Sequence, residues 1–520
     1  MIKGRKLNVK TKKNSNKVVM IATLVMAVGV IVISGVTYAL WNTTEKQDGF
    51  NQVNISCLDL VVSDNKPINL VNAYQLSDNE ALEQVPYSFK ITNHCNNSEF
   101  VDIKLDLKST NTLALTDIKA VLKSDITYIE PVTINNLLDD TTDQAGYSAK
   151  HLITTEVSGN TTKEYKLYLW IKEDAAYESI SNKQFEGKID IVNHNGNILA
   201  TDYVRNLSSS DTTTLAYDET VDNNLRYVGA TPNNYVNFNG ELWRIIGVMN
   251  NVDNGTGVQE SRIKLIRDES LGNYPFYDEC ADENWTDNGD GTYTCSSYRY
   301  SNNWPNSTAN EVLNIYYNSG THAVYHGNIF INNNWVDYQT SSVNFTNNGL
   351  NSTSKSLIGT TTYYLGGYTW DDNGTYDLKT LNTVYFYTAE RINNPINNYN
   401  TLIWNGILGL MYPSDYGYAS NGNAEGNNCK MISLNKWHEQ MYATCKNNDW
   451  VYDSSIFQST MTPRIDTYYN ISYISSFGYV HINDSGKSFG IRPVLYLKST
   501  VKIVNDGQNG SSSKPYNLSL

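Results

Sequence analysis

The 520-residue chain is short of histidine (7), cysteine (6) and proline (11), and its 39 Lys and Arg are outnumbered by 53 Asp and Glu. The resulting formal charge of −14 repels phosphate backbones and anionic headgroups, which excludes nucleic-acid binding as a function class. No CxxC occurs, so cysteine-bound metal has no starting point. P-loop, dinucleotide fingerprint, GxSxG and HExxH are all missing, and with them the usual signatures of nucleotide-dependent, serine-hydrolase and zinc-protease chemistry. No catalytic residue, metal ligand or resident cofactor is expected, and the chain reads as a non-enzyme. An LPxTG-type sorting motif is also missing, and no second long apolar run follows residue 41.

What charge there is lies unevenly. Residues 1–17 carry Lys3, Arg5, Lys6, Lys10, Lys12, Lys13 and Lys17 without an acid, and residues 18–41 carry no charge. As helix, that run would cover ~36 Å, enough for a hydrocarbon layer of ~30 Å. The basic flank stays cytoplasmic. The expectation is a single-pass membrane protein: tail 1–17, transmembrane helix 18–41, extracellular bulk. A signal peptide cut after Ala39, with Thr37 at −3, is the competing reading; the length of the run favours a retained anchor.

Outside the cell an even cysteine count reads as disulfides. Locality favours Cys57–Cys95, Cys280–Cys295 and Cys429–Cys445; the second would tie the ends of a hairpin around the turn at 287–291 (DNGDG). Residues 50–195 predict a β-sandwich, from alternating or β-branched segments at 57–63, 85–92, 99–107, 164–171 and 185–192. Residues 196–225, rich in Ser, Thr and Asp, read as a linker. A head of mixed α+β character follows over 226–510. Asn239-Gly240 between two apolar runs signals its opening hairpin, and SFGIRPVLYLKSTVKIV (488–504) closes it as a Pro-interrupted strand pair. Helical pieces are expected in STANEVLNIYYNS and TVYFYTAERI.

The leader ending SGVTYALWN, the strand CLDLVV and the run YSFKITNHC…FVDIKLDL resemble camelysin and TasA-type surface proteins of Firmicutes, over about residues 20–195. That resemblance implies a surface or extracellular-matrix location. The series WRIIG, RIKLIRDES, GLMYPSDYGYA and GIRPVLYLKS resembles a family of Firmicutes surface proteins over about 226–505. Its closing GxRP element is similar to that of C-type-lectin-like and formylglycine-generating-enzyme folds. The resemblance implies a lectin-like head displaying long binding loops. Formylglycine-generating enzymes use a redox-active cysteine pair. Cys429 and Cys445 have only Lys430 and Lys446 as basic neighbours, so a structural bridge is expected instead.

His322 and His326 at i and i+4 would share a helix face, but no third metal ligand accompanies them. DNGDG (287–291) and WDDNG (370–374) offer oxygens for calcium without EF-hand spacing, and turn chemistry explains both. Arg492, before Pro493, is extended and expected to be a core ion-pair partner. Aromatic-rich loops at 363–376, 412–419 and 448–453 are the binding candidates, with Trp370, Tyr412, Tyr416 and Trp450 as residues whose rigid rings suit sugars or peptides. The expected function is adhesion or binding of an external glycan or protein by a membrane-anchored surface protein. The alternative is a structural subunit of a matrix or fibre.

Overall fold

The computed structural model describes residues 58–520 apart from 63–67, 72, 125–130, 278–283, 290–292, 297–300, 332–333, 370–380 and 394–401. The N-terminal region is a two-sheet sandwich of strands β1 (Leu58–Val62), β2 (Ile68–Val71), β3 (Gln75–Leu76), β4 (Tyr87–Asn93), β5 (Glu99–Lys108), β6 (Ile118–Lys123), β7 (Val132–Thr133), β8 (Asp139–Asp140), β9 (Tyr147–Val157), β10 (Thr161–Lys172) and β11 (Gln184–Asn193). One sheet runs β1-β4-β10-β6-β7, with β3 added beside β10; the other runs β2-β11-β5-β9-β8.

Period-2 patterning makes these strands, because alternate side chains point to opposite faces. In β4, Tyr87, Phe89 and Ile91 are buried while Lys90 between them is exposed. Ile103 of β5 sits opposite Ile191 of β11 and Ile153 of β9, and all three are sealed in the core. From the facing sheet, Phe89 and Tyr165 lie opposite each other with rings stacked at 5.3 Å.

The head builds two larger sheets. The first orders Leu215–Tyr217, Leu225–Tyr227, Glu241–Asp253, Gln259–Arg267 and Val494–Tyr496, with Tyr235–Phe238 also paired to Glu241–Asp253. Asn239 and Gly240 form the two-residue turn of that hairpin at φ 61° and 75°, as a type I′ turn requires. The second sheet orders Asn334–Asn344, His322–Ile331, Lys487–Gly490, Gln458–Pro463, Asn470–Ile474 and Val480–Asp484, with Asn273–Pro275 beside Lys487–Gly490. The closing pair is thus split between the sheets, and residues 491–493 carry the chain from one to the other. Short helices occupy Thr308–Glu311 and Thr383–Ile392, where the sequence places them.

Several expectations are corrected. The helix expected over 18–41 lies outside the described residues. Among the described residues no helix is long and apolar enough to cross a membrane. Thr383–Ile392, at ten residues, spans only ~15 Å against a ~30 Å layer. The chain is mostly β-strand, and the fold class of transmembrane helix, sandwich and α+β lectin-like head is replaced by that description. The single-pass membrane assignment is withdrawn with it.

The stretch 196–225 is not a linker. Ala200–Ser208 is a helix whose Ala200 and Val204 enter the head core, and Leu215–Tyr217 opens the first sheet. The last residues also belong to the fold, since Leu518–Ser519 pairs with Lys502–Ile503, which pairs with Ile198–Leu199. HAVYH (322–326) is strand rather than helix, so its two histidine positions stand ~13 Å apart along the strand instead of sharing a helix face.

Arg492 is buried as expected, but its hydrogen bonds run to oxygens of uncharged groups: Arg267 O at 2.9 Å, Val451 O at 3.2 Å and Gln458 Oε1 at 3.0 Å. Burial pushes its guanidinium down to about 10.

Candidate functional site

The aromatic residues singled out by the sequence are scaffold. Tyr412, Tyr416 and Trp450 are all buried in the head core. Tyr412 donates its hydroxyl to Tyr364 O at 3.0 Å and accepts from Tyr364 N at 2.9 Å. Tyr416 donates to Gly478 O at 3.0 Å. The Trp450 indole donates to Tyr227 O at 2.9 Å, and Arg244 lies over its ring at 4.4 Å. Burial drives the hydroxyls of Tyr412 and Tyr416 well above the normal tyrosine range. These three residues therefore cannot line an open groove. Trp370 lies outside the described residues, as do 290–291 of the first candidate calcium loop and 370–374 of the second.

The accessible rings stand next to this scaffold. Phe477 is 56% exposed at the tip of the hairpin formed by Asn470–Ile474 and Val480–Asp484, and His438 is exposed beside it. His438 packs against Tyr479 at 4.6 Å between ring centroids, and Tyr479 against His481 at 5.8 Å. His481 leads inward to Tyr473, which stacks on Phe489 at 4.6 Å and 14°. Phe457 touches Tyr473, Phe489 and Phe477, so the rings form one chain from surface to core and back to the surface.

Three elements fix this ridge. The disulfide Cys429–Cys445 closes a loop in which Trp437 is buried against Tyr416 at 5.0 Å, leaving the next residue, His438, outside. Lys446 Nζ donates to Phe477 O at 2.7 Å, and Tyr452 donates to Ser476 O at 2.8 Å. Inside the turn, Gly478 N reaches Ser475 O at 2.8 Å and Ser475 N reaches Tyr479 O at 2.9 Å. Gly478 sits at φ +84°, and a Cβ there would meet Lys446 Cδ at 2.4 Å, so both conformation and space call for glycine. The outcome is a set of rings held in place before any ligand arrives, which lowers the ordering cost of binding.

Beneath lies a buried ionic network. Asp415 accepts from Lys264 Nζ at 2.6 Å and Arg226 Nη1 at 3.0 Å, while Arg226 Nε donates to Asp218 at 2.8 Å. Burial opposes the charge on Asp415, but Lys264 and Arg226 outweigh it and hold the carboxyl below its usual range. Glu390, fully enclosed, accepts from Ser414 Oγ at 2.5 Å and is pushed up to about 7 by burial. Asp218, Arg226, Asp415 and Lys264 pair with one another, and a cavity of about 30 Å³ lies against Arg226, Lys264 and Asp415. Among the described residues, no group of three or more His, Cys, Asp or Glu could hold a metal.

Of the expected disulfides, Cys429–Cys445 is formed. Cys95 is also disulfide-bonded. Cys57 and Cys280 lie outside the described residues, while Cys295 pairs with Trp285 across a short ladder. No protein-family profile, curated protein or solved structure matches the chain.

Proposed function

We propose that the chain is an extracytoplasmic binding protein whose head takes up a carbohydrate along the ridge of His438, Phe477 and Tyr479. The observation that carries the reading is the exposure of Phe477 on the clamped hairpin tip, with Tyr479 half-buried and His438 exposed next to it, where most large apolar side chains of the head are sealed inside. A flat ring offers a pyranose its apolar face for contact while the sugar hydroxyls stay in water or meet polar neighbours such as His438. The Cys429–Cys445 bridge supports an oxidising location. The likeness of residues 20–195 to camelysin and TasA-type surface proteins points the same way.

The test is a glycan array probed with the full chain, followed by titration of the best oligosaccharide. Phe477→Ala and Tyr479→Ala are each expected to weaken binding about ten-fold, ~1.4 kcal/mol, with an unchanged melting temperature. An array without signal, or wild-type affinity in both variants, would reject the carbohydrate reading.

A further inference from the structure

Sandwich and head meet across the helix Ala200–Ser208, which bonds to both through polar side chains. One side of the helix faces β9. Asp202 Oδ2 accepts from His151 Nε2 at 2.8 Å and from Thr154 N at 2.8 Å, and Asn206 Nδ2 donates to Thr154 O at 2.8 Å. The other side faces the head, where Arg205 donates to Asn250 Oδ1 at 3.0 Å and Ser261 Oγ at 2.9 Å. With Ala200 and Val204 in the head core, the helix moves with the head, and Asp202 and Asn206 are its hold on the sandwich, Asp202 alone through a charge.

His151 is gripped from both sides. Its Nδ1 lies 3.5 Å from Asp140 of β8, within the sandwich, and its Nε2 lies against Asp202. A cavity of about 600 Å³ opens on one side, lined by Asp102, Asp140, His194 and Lys502, and one of about 80 Å³ on the other, lined by Asp202, Arg205 and Glu260. Leu138, His151 and Leu199 line both and so form the wall between them. Packed domain interfaces do not leave such voids flanking a set of polar bridges.

We propose that His151 is the pin of an interdomain joint: its cation, held by Asp140 of the sandwich and Asp202 of the junction helix, fixes the two domains in one orientation, and loss of that cation lets the head swing about the helix. The proposal is independent of what the ridge binds. Asp102 of β5 adds attraction; His194, bonded to Asp102 at 3.0 Å, opposes it weakly. Lys104 of β5 lies 3.9 Å from Asp140, and Arg205 lies 3.6 Å from Asp202. Burial disfavours the imidazolium, yet the bonds to Asp140 and Asp202 outweigh it and carry the group up to about 10. A raised value means that the grip is complete below the unfolded value near 6.5 and is lost as pH rises through about 10.

The test uses the full chain, small-angle scattering for the domain arrangement and timed proteolysis of residues 194–197. At pH 7, His151→Gln is expected to raise the maximum dimension and to speed cleavage at least ten-fold, while His194→Gln, which leaves the junction helix untouched, keeps the wild-type maximum dimension. Should His151→Gln fail to fold, His151→Arg decides, because the flanking cavities have room for the longer cation. Wild type should open as pH passes 10 and His151→Arg should stay closed. Wild-type dimensions and cleavage in His151→Gln, or opening of wild type and His151→Arg at the same pH, would overturn the proposal.

Discussion

The sandwich and the head solve the same burial problem with opposite materials. The sandwich core is aliphatic and aromatic, with Ile103, Ile153, Ile191, Phe89 and Tyr165 meeting across two sheets, and its buried charges Lys104, Asp106 and Lys150 bond to residues 135–142. The head seals charges inside: Arg226, Lys264, Asp218, Asp415 and Glu390 are all buried and bonded to one another or to Ser414. An aliphatic core tolerates imprecision because dispersion and hydrophobic contacts are non-directional. A buried ionic core tolerates none, because each charge left without a partner costs several kcal/mol. The head is therefore the more precise and the more brittle half, which suits a surface that must hold rings in fixed positions.

The sharpest way to break the comparison is to orphan a head charge. Asp415→Ala leaves Lys264 without its carboxylate and Arg226 with only Asp218, and should cost about 3–5 kcal/mol. Denaturant unfolding should show two transitions, with only the head's displaced. A shift of under about 1 kcal/mol would mean that solvent enters the network and that its burial has little energetic weight.

The corresponding change in the sandwich is Ile103→Ala, at a position with no exposure. A cost of about 2–5 kcal/mol is expected, confined to the sandwich transition. The paired result matters more than either value. If Ile103→Ala also moves the head's transition by a similar amount, the two halves unfold as one unit and the junction is stronger than its polar bonds suggest.

Acidity separates the halves next. Glu390 has its carboxyl raised from 4.5 to about 7, by burial above all, against opposing help from Arg391 and Ser414. The folded head thus binds a proton more tightly than the unfolded chain does. The stability this contributes is complete below about 4.5 and is lost as pH rises through about 7, in total ~3 kcal/mol. Asp449, also raised by burial, has the same sign. The head transition should weaken between pH 4.5 and 7, and Glu390→Gln should flatten that slope and exceed wild type in stability at pH 8. An unchanged slope in the variant would assign the effect to another group.

How much of this was legible in the sequence follows from the same contrast. Period-2 patterns matched five of the eleven described sandwich strands to within about three residues, missing Ile118–Lys123 and Tyr147–Val157 among others, and Asn239-Gly240 announced its hairpin, because both signals are local. The helix at 200–208 was also there to be read: Ala200, Tyr203, Val204 and Leu207 follow helical spacing, hidden by the Ser, Thr and Asp of the surrounding stretch. The ridge was not legible. Sequence enrichment in tyrosine and tryptophan pointed to 412–419 and 448–453, but no local signal separates an aromatic ring that packs from one that projects. Tyr416 is inside and Phe477 outside because Tyr416 reaches Gly478 across 62 residues and a disulfide loop covers it. The buried charges are as hard to foresee, since Asp415 lies 151 residues from Lys264 and 189 from Arg226.

The smallest expected effect tests whether precision in the head serves the ridge. Gly478 carries the turn at φ +84°, where any L side chain is strained, and its Cβ position collides with the flexible end of Lys446 rather than with backbone. Lys446 can swing aside, so Gly478→Ala should cost only about 1 kcal/mol in stability, most of it from the left-handed backbone. Moving Lys446, however, breaks its bond to Phe477 O and frees the tip of the hairpin. The melting temperature should fall by a few degrees at most, while hydrogen exchange at residues 475–479 rises and affinity for the array-selected oligosaccharide drops. Lys446→Met keeps glycine and removes only the clamp, so it should reproduce the loss of affinity without the backbone strain. If both variants bind as wild type does, the ridge has no need of a rigid tip, and the brittleness of the head answers to something other than ligand binding.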